Sequence, residues 1–238
     1  MSSLRDCLFS ACFDSSALGF SWAGLSFSTG KLYAGHDVNA AGENSPTGPL
    51  EILGEREQEI LLGLARRSLV EYFQQTVPGV PALDDPILDQ QRGCFVTLMR
   101  NGALRGCVGN VFPRLPLCQA VVESARSAAF CDSRFPPLER HELFEILIEI
   151  SVLSAAVRLR SGTAEEILAQ IRPHVDGVLL QVSGRMSTFL PQVWEKLPVP
   201  TDFMNCLAKK SGLAPEAWCD SSAVISVYQA QSFAERGD

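Results

Sequence analysis

In EREQEILLGLARRSLVEYF, the apolar residues Ile60, Leu61, Leu64, Leu69 and Tyr72/Phe73 recur at three- and four-residue spacing. The charges fall opposite this stripe, so the spacing predicts an amphipathic helix from Glu55. A loop with Gly79, Pro81 and Pro86 follows, and then the period changes. CFVTLMR and ALRGCVGNV are apolar runs joined by Asn101-Gly102. Both residues tolerate the positive φ of a type I′ turn, so the pair predicts a β-hairpin. Beyond Pro113 and Pro116, LCQAVVESARSAAF reads as a helix. FEILIEISVL alternates, placing Phe144, Ile146, Ile148, Ile150 and Val152 on one face of a strand.

The same order returns further on. TAEEILAQI predicts a helix opened by a Thr163/Glu166 capping box. GVLLQV, Ser183-Gly184 and RMSTF predict a second hairpin, followed by Pro191 and a short helix through Trp194. TDFMNCLAKKSG predicts a helix with Thr201 as N-cap, Lys209 and Lys210 complementing its C-terminus, and Gly212 at the stop. SAVISVYQAQSF supplies a last strand. The repeated order predicts an α+β fold of two β-β-α-β-type halves, about 50–155 and 156–238, without residue identity between them. His174, before a strand, reads as structural, and Trp194 and Trp218 read as packing residues.

Residues 1–49 are rich in Ser, Gly and Ala and end in a turn-rich stretch, which predicts a poorly structured or appended tail dispensable to folding. Asp14 interrupts the apolar run CLFSACF too early for a secretory signal.

At 46% hydrophobic and 20% charged residues, the composition is that of a soluble globular protein, and the net charge is −7. No Lys/Arg run interleaved with aromatics appears, which disfavours nucleic acid as a partner. The eight cysteines form no CxxC pair and the three histidines are scattered. The expectation is reduced thiols in a cytoplasm, with no preassembled zinc site and no membrane segment.

Within the first hairpin, ALRGCVGN places a cation and a thiol two residues apart among glycines. With a two-residue turn at 101–102, Arg105 lies opposite Leu98 and Cys107 opposite Val96. Arg105, Cys107 and Cys94 then share a partly covered face, while Leu104, Val108, Phe95 and Met99 take the other, more core-like one. A bulge at either glycine would disturb this register. Gly106 and Gly109 mark a bulge or a close approach of backbone or ligand. In one reading, Cys107 is a nucleophilic, redox or metal-binding thiol with Arg105 as anion holder. In the other, Cys107 is a buried filler and Arg105 pairs with Glu145 or Glu149.

LRGCVGN resembles the LRGCIG-type signature of the AMMECR domain family, known from a human protein of the Alport syndrome chromosomal deletion region. SARSAAFCDSRFPPL, IEISVLS, GVLLQ, TFLPQVWEKLP and FMNCLAKKSGLAPEAW follow in the family's order, so the resemblance covers about residues 52–235. Val108 stands where isoleucine is usual, and Asn110 where a small polar residue is common. The resemblance implies an α+β fold with duplicated strands and helices around a single barrel-like, mainly antiparallel sheet. It names no settled activity and no cofactor. It implies a functional surface at the signature, with suggestions that include nucleotide or RNA binding. In microbes such domains accompany a Memo-type protein and a radical S-adenosylmethionine protein, the AmmeMemoRadiSam set, of which this chain resembles the stand-alone protein A.

Three functions follow as expectations. The first is an accessory binding role through Leu104–Asn110, with Gly106, Gly109, Asn110 and Arg134 as ligand-binding residues. The second is an enzyme or redox/metal-handling component using Cys107 with Arg105. Nucleotide or RNA binding is the third. Asp132 and Arg134 also have a purely local reading, as hydrogen-bonders of a Pro-Pro turn. No histidine or carboxylate is tied by spacing to Cys107 as a general base, which favours the binding role.

Overall fold

The computed structural model describes residues 51–76 and 85–237. The expectations for the tail 1–49 and for the loop at Gly79 and Pro81 lie outside them. Two compact units are present, residues 51–152 with the segment from 231, and residues 153–230.

The first unit opens with helix α1 (Glu55–Phe73), whose buried stripe runs through Leu61, Leu64 and Leu69. Strands β1 (Cys94–Arg100) and β2 (Ala103–Asn110) form the expected hairpin. Asn101 and Gly102 have φ of 51° and 76°, as a type I′ turn requires. Helix α2 (Leu117–Phe130) follows, then a 3₁₀ turn at Arg140–Phe144 and strand β3 (Ile146–Leu153). Cys94, Val96 and Leu98 pair with Val152, Ile150 and Ile148. All six are buried in one cluster with Leu61, Leu64, Val121 and Ala125 of the helices. Each large aliphatic side chain so buried contributes roughly 1.5–3 kcal/mol. Phe144 departs from its expected face: it precedes the strand, in the 3₁₀ turn, and is 92% exposed.

The second unit holds β4 (Val157–Arg158), the short helix α3 (Ala164–Leu168), and the hairpin β5 (Gly177–Val182) and β6 (Arg185–Phe189). Helix α4 (Pro200–Lys210) and β7 (Val224–Tyr228) complete it. The Thr163/Glu166 capping box is present. Ser183 and Gly184, at φ of 52° and 69°, repeat the turn geometry of the first hairpin. Trp194 stacks on Phe203 with centroids 3.7 Å apart and donates Nε1–H to the Asp176 carbonyl at 2.7 Å. Trp218 is buried and donates to Asn205 Oδ1. His174 occupies a turn with φ 64°. Helix α4 begins two residues earlier than its sequence suggests. Pro200 takes the first helical position and Val199 the cap, so Thr201 lies inside the first turn. Lys210 does more than face a helix end: its Nζ donates to the Thr188 carbonyl at 3.0 Å.

The α+β class and the antiparallel pairing hold. The strands, with β8 at Ala230–Ala234, form two four-stranded sheets, β2-β1-β3-β8 and β4-β7-β5-β6, in place of a single barrel-like one. SAVISVYQAQSF accordingly divides at Gln229. Its first part is β7 of the second sheet, and its second part, β8 (Ala230–Ala234), joins the first sheet beside β3. Glu235 fastens this return by accepting from Ile148 N at 2.9 Å and pairing with Arg66 of α1. Among the described residues, no helix is long and apolar enough to cross a membrane.

Candidate functional site

Strand β2 is an edge strand, and its register carries the main surprise of the motif. Arg100 pairs with Ala103 and Met99 with Leu104, but Leu98 pairs with Gly106. Arg105 is therefore the extra residue of a β-bulge, and every later position is shifted by one. Cys107 stands opposite Thr97, not Val96, and Arg105 opposite no single residue. Cys94 joins Val108 and Asn110 in facing α2, whereas Cys107 shares the opposite face with Thr97 and Phe95. The shared Arg105–Cys107–Cys94 face of the simple hairpin is thus corrected, because one inserted residue exchanges the two faces.

The glycines explain the bulge. A Cβ on Gly106 would lie 2.2 Å from the Ala128 carbonyl oxygen of α2. One on Gly109 would lie 2.2 Å from the Cys94 carbonyl oxygen and 2.5 Å from the Phe95 ring. Both positions mark close backbone approach, one to a helix and one to the neighbouring strand.

The bulge turns Arg105 towards Glu142. Arg105 Nε donates to Glu142 Oε1 and Nη2 to Oε2, each at 2.8 Å, and Nη2 also reaches the Pro137 carbonyl. Arg100 Nη1 and the Glu139 backbone N–H donate to the same carboxylate. The bond from Arg105 foremost holds the Glu142 carboxyl at about 2, with the Glu139 N–H and both arginine charges adding to it against the cost of burial. Arg105 is a buried structural cation. Its partner is Glu142, where the sequence suggested Glu145 or Glu149; Glu145 is taken by Arg100.

Cys107 is 6% exposed, deeper than the partly covered position expected of it. Thr97 Oγ1 donates to its sulfur at 3.2 Å. Asp132 Oδ2 accepts from Cys107 N at 2.9 Å, and Arg134 Nη2 approaches Cys107 O at 3.3 Å. Arg134 is itself bound to Asp132 through Nε and Nη2. The two expectations for Arg134 therefore coincide: it bonds locally to Asp132, and it converges on Cys107. The Asp132–Arg134 pair satisfies the outward N–H and C=O of the edge strand, where another strand would otherwise add. Nη1 of Arg105 and of Arg134 are buried without a hydrogen-bond partner. Asn110 Oδ1 accepts from Phe112 N at 2.9 Å, a local turn at the end of β2.

Sequence reasoning missed Glu142, Thr97 and Arg92, and offered Glu149 only as a partner for Arg105. Glu142 sits in the charged run ERHE, which looks solvated until the chain is folded. Glu149 pairs with Thr97 on the side away from Cys107, so Glu149, Thr97 and Cys107 form a row across three strands on one face. Burial pushes the Glu149 carboxyl up. Among the described residues, no group of three or more His, Cys, Asp or Glu side chains is placed to hold a metal ion.

This hairpin, bulged at an arginine and sealed by Asp132 and Arg134, belongs to a recognised class of α+β domain. Residues 62–233 match AMMECR1, and the chain belongs to that family. It is 35% identical to the protein MK0488 of Methanopyrus kandleri over 193 residues, covering 78% of this chain and 91% of that one. A Methanosarcina barkeri protein is 32% identical over 190 residues, covering 78% and 93%. The crystal structure of an uncharacterized Pyrococcus horikoshii protein superposes with a TM-score of 0.72 at 31% identity, covering 77% of this chain and 94% of that one.

Proposed function

We propose that the chain is an accessory binding protein that presents the rigid Leu104–Asn110 strand segment to a protein partner in the cytoplasm. The partner is a Memo-type or radical S-adenosylmethionine protein of the AmmeMemoRadiSam set, as the resemblance of the motifs implies. One observation carries the reading: the motif's reactive-looking groups are spent inside the molecule. Arg105 is bound by Glu142, and Cys107 is buried with its backbone held by Asp132 and Arg134. Such a network fixes a surface more than it supplies a nucleophile. Titration calorimetry of the purified chain with each partner tests it. Cys107→Ala retains binding, whereas Ala103→Glu combined with Arg114→Glu, both at exposed positions flanking this segment, weakens it at least about tenfold. Failure of both partners to bind overturns the reading.

The second reading, thiol chemistry at Cys107, draws on the Glu149–Thr97–Cys107 row. Directly opposed side chains on neighbouring strands lie roughly 5 Å apart, so Glu149 would act on the sulfur through the Thr97 hydroxyl, turned to accept from the Cys107 S–H and donate to the carboxylate. Arg105, held by Glu142, has no part in it. Rapid Cys107 labelling in the folded chain, slowed by Glu149→Gln, would favour this reading. Nucleotide or RNA binding ranks third, because a net charge of −7 opposes phosphate neutralisation.

A further inference from the structure

We propose that the face of the first sheet turned away from α1 and α2 pairs with the same face of a second copy of this chain. Glu149 of each copy meets Arg236 of the other across Leu147 and Ala234. This surface differs from the Leu104–Asn110 segment, and the proposal is independent of the partner reading because it needs no other protein.

Two hydrogen bonds fix which residues share that face. Ser151 and Ser232 join hydroxyl to hydroxyl at 2.8 Å, and Glu235 N donates to Ile148 O at 2.9 Å, so β8 runs antiparallel to β3. Ala234 then lies beside Glu149, and Arg236 beside Leu147. Glu235 turns inward to Arg66 of α1, so its neighbours Ala234 and Arg236 turn outward. A Cβ on Gly237 would meet Leu147 Cδ1 at 3.7 Å, which keeps the end of the chain beside that leucine.

The face is open and carries charges that the chain does not use. Leu147 is 41% exposed, Ala234 and Arg236 are exposed, and Phe144, at the entry to β3, is 92% exposed. An aromatic ring and a leucine three residues apart, both facing water, form an apolar patch rather than a scattered residue. Among the described residues, neither Glu149 nor Arg236 has a hydrogen-bond or ion-pair partner. Burial alone pushes the Glu149 carboxyl up, with no neighbouring cation opposing it. Glu149 is half-buried, and its unbonded oxygens keep accessible surface, so an incoming guanidinium can reach them.

The arrangement complements itself. Glu149 and Arg236 occupy one diagonal of a four-residue block, and Leu147 and Ala234 occupy the other. A two-fold axis along the Leu147–Ala234 diagonal brings Glu149 of each copy onto Arg236 of the other, giving two opposite-charge pairs from one rotation. The same rotation sets Leu147 against its counterpart, with Phe144 at the rim. The block is smaller than the roughly 1,200–2,000 Å² that a tight complex buries, so the dimer is weak and concentration-dependent.

Sedimentation equilibrium of the full chain from about 5 to 500 μM tests the proposal. The chain passes from monomer to dimer and no further, because an isologous contact closes at two copies. Arg236→Glu and Phe144→Ser, both at exposed positions, each weaken the dimer at least about threefold without moving the denaturation midpoint. Glu149→Lys weakens it as well. Mixing the Glu149→Lys chain with the Arg236→Glu chain restores association, because the mixed dimer regains opposite charges at both contacts. A pair formed within one chain would give no such rescue. Should Glu149→Lys fail to fold, Arg236→Glu and Phe144→Ser still decide the matter. The proposal is overturned if the chain stays monomeric throughout, if it forms larger assemblies, if Arg236→Glu and Phe144→Ser dimerise as well as the parent chain, or if mixing the two folded charge variants restores nothing.

Discussion

Thr97 and Cys107 stand directly opposite each other across the β1–β2 pair, and the threonine hydroxyl donates to the cysteine sulfur at 3.2 Å. The motif's thiol is thus an acceptor inside a sheet, and its burial favours the reading of Cys107 as a filler over that of a nucleophile. Cys131 and Cys219 are exposed, while Cys94, Cys107 and Cys118 are buried. Among the cysteines of the described residues, limited alkylation with peptide mapping should label Cys131 first. Cys219 follows more slowly, because partial burial and then the Glu216 charge raise its thiol. Cys107 reacts only as the fold opens; native-state labelling of Cys107 at the rate of Cys131 would restore the thiol-chemistry reading.

Glu142 should govern acid stability in the first unit. Its carboxyl is held at about 2 against an ordinary value of 4.5. A depressed pKa stabilises the fold above the unfolded value, and that contribution fades as pH falls from about 4.5 towards 2. It amounts to about 3 kcal/mol at neutral pH. Glu142→Gln leaves Arg105 buried beside a neutral amide and costs roughly 3–5 kcal/mol at pH 7. Urea denaturation across pH 2–7 should show the variant losing less stability on acidification than the parent chain.

Two glycines of the same hairpin should respond for different reasons. Gly106→Ala drives a methyl group into the Ala128 carbonyl and costs about 1–3 kcal/mol, because β2 and α2 must separate. Gly102 has open space around its Cβ position but a φ of 76°. Gly102→Ala costs about 1 kcal/mol through backbone strain, and Gly102→Asn less, since asparagine visits the left-handed region. A loss for Gly106→Ala well below about 1 kcal/mol, measured by chemical denaturation, would contradict the close approach to α2.

In the second unit, Trp194→Ala should cost about 3–5 kcal/mol, since it empties the stack against Phe203. Trp194→Phe retains most of the packing and forfeits the bond to the Asp176 carbonyl, about 1 kcal/mol. Near-ultraviolet circular dichroism follows the loss of the stacked indole, and denaturant midpoints give the two costs.

Much of the fold was legible because its signals are local. The helices 55–73 and 117–130, both type I′ hairpins and the Thr163/Glu166 cap each depend on residues within a few positions of one another. The candidate site was legible as a place rather than as chemistry. Arg105, Cys107, Gly106 and Arg134 do converge, yet the partner that occupies Arg105 is 37 residues away and lies in a charged run with no distinguishing pattern. The division of 224–234 between two sheets was equally hidden, because the residues around Gln229 keep reading as one strand.

By itself the sequence determined the element types, their order and the motif by which the family is known, since periodicity, turn dipeptides and caps act over a few residues. Tertiary structure decided which face each motif residue takes. Gly106 must clear the Ala128 carbonyl, so β2 bulges at Arg105, and that single inserted residue turns the guanidinium to Glu142 and sets Cys107 against Thr97. Packing between a strand and a helix far apart in sequence sets that register, and no short-range pattern encodes it.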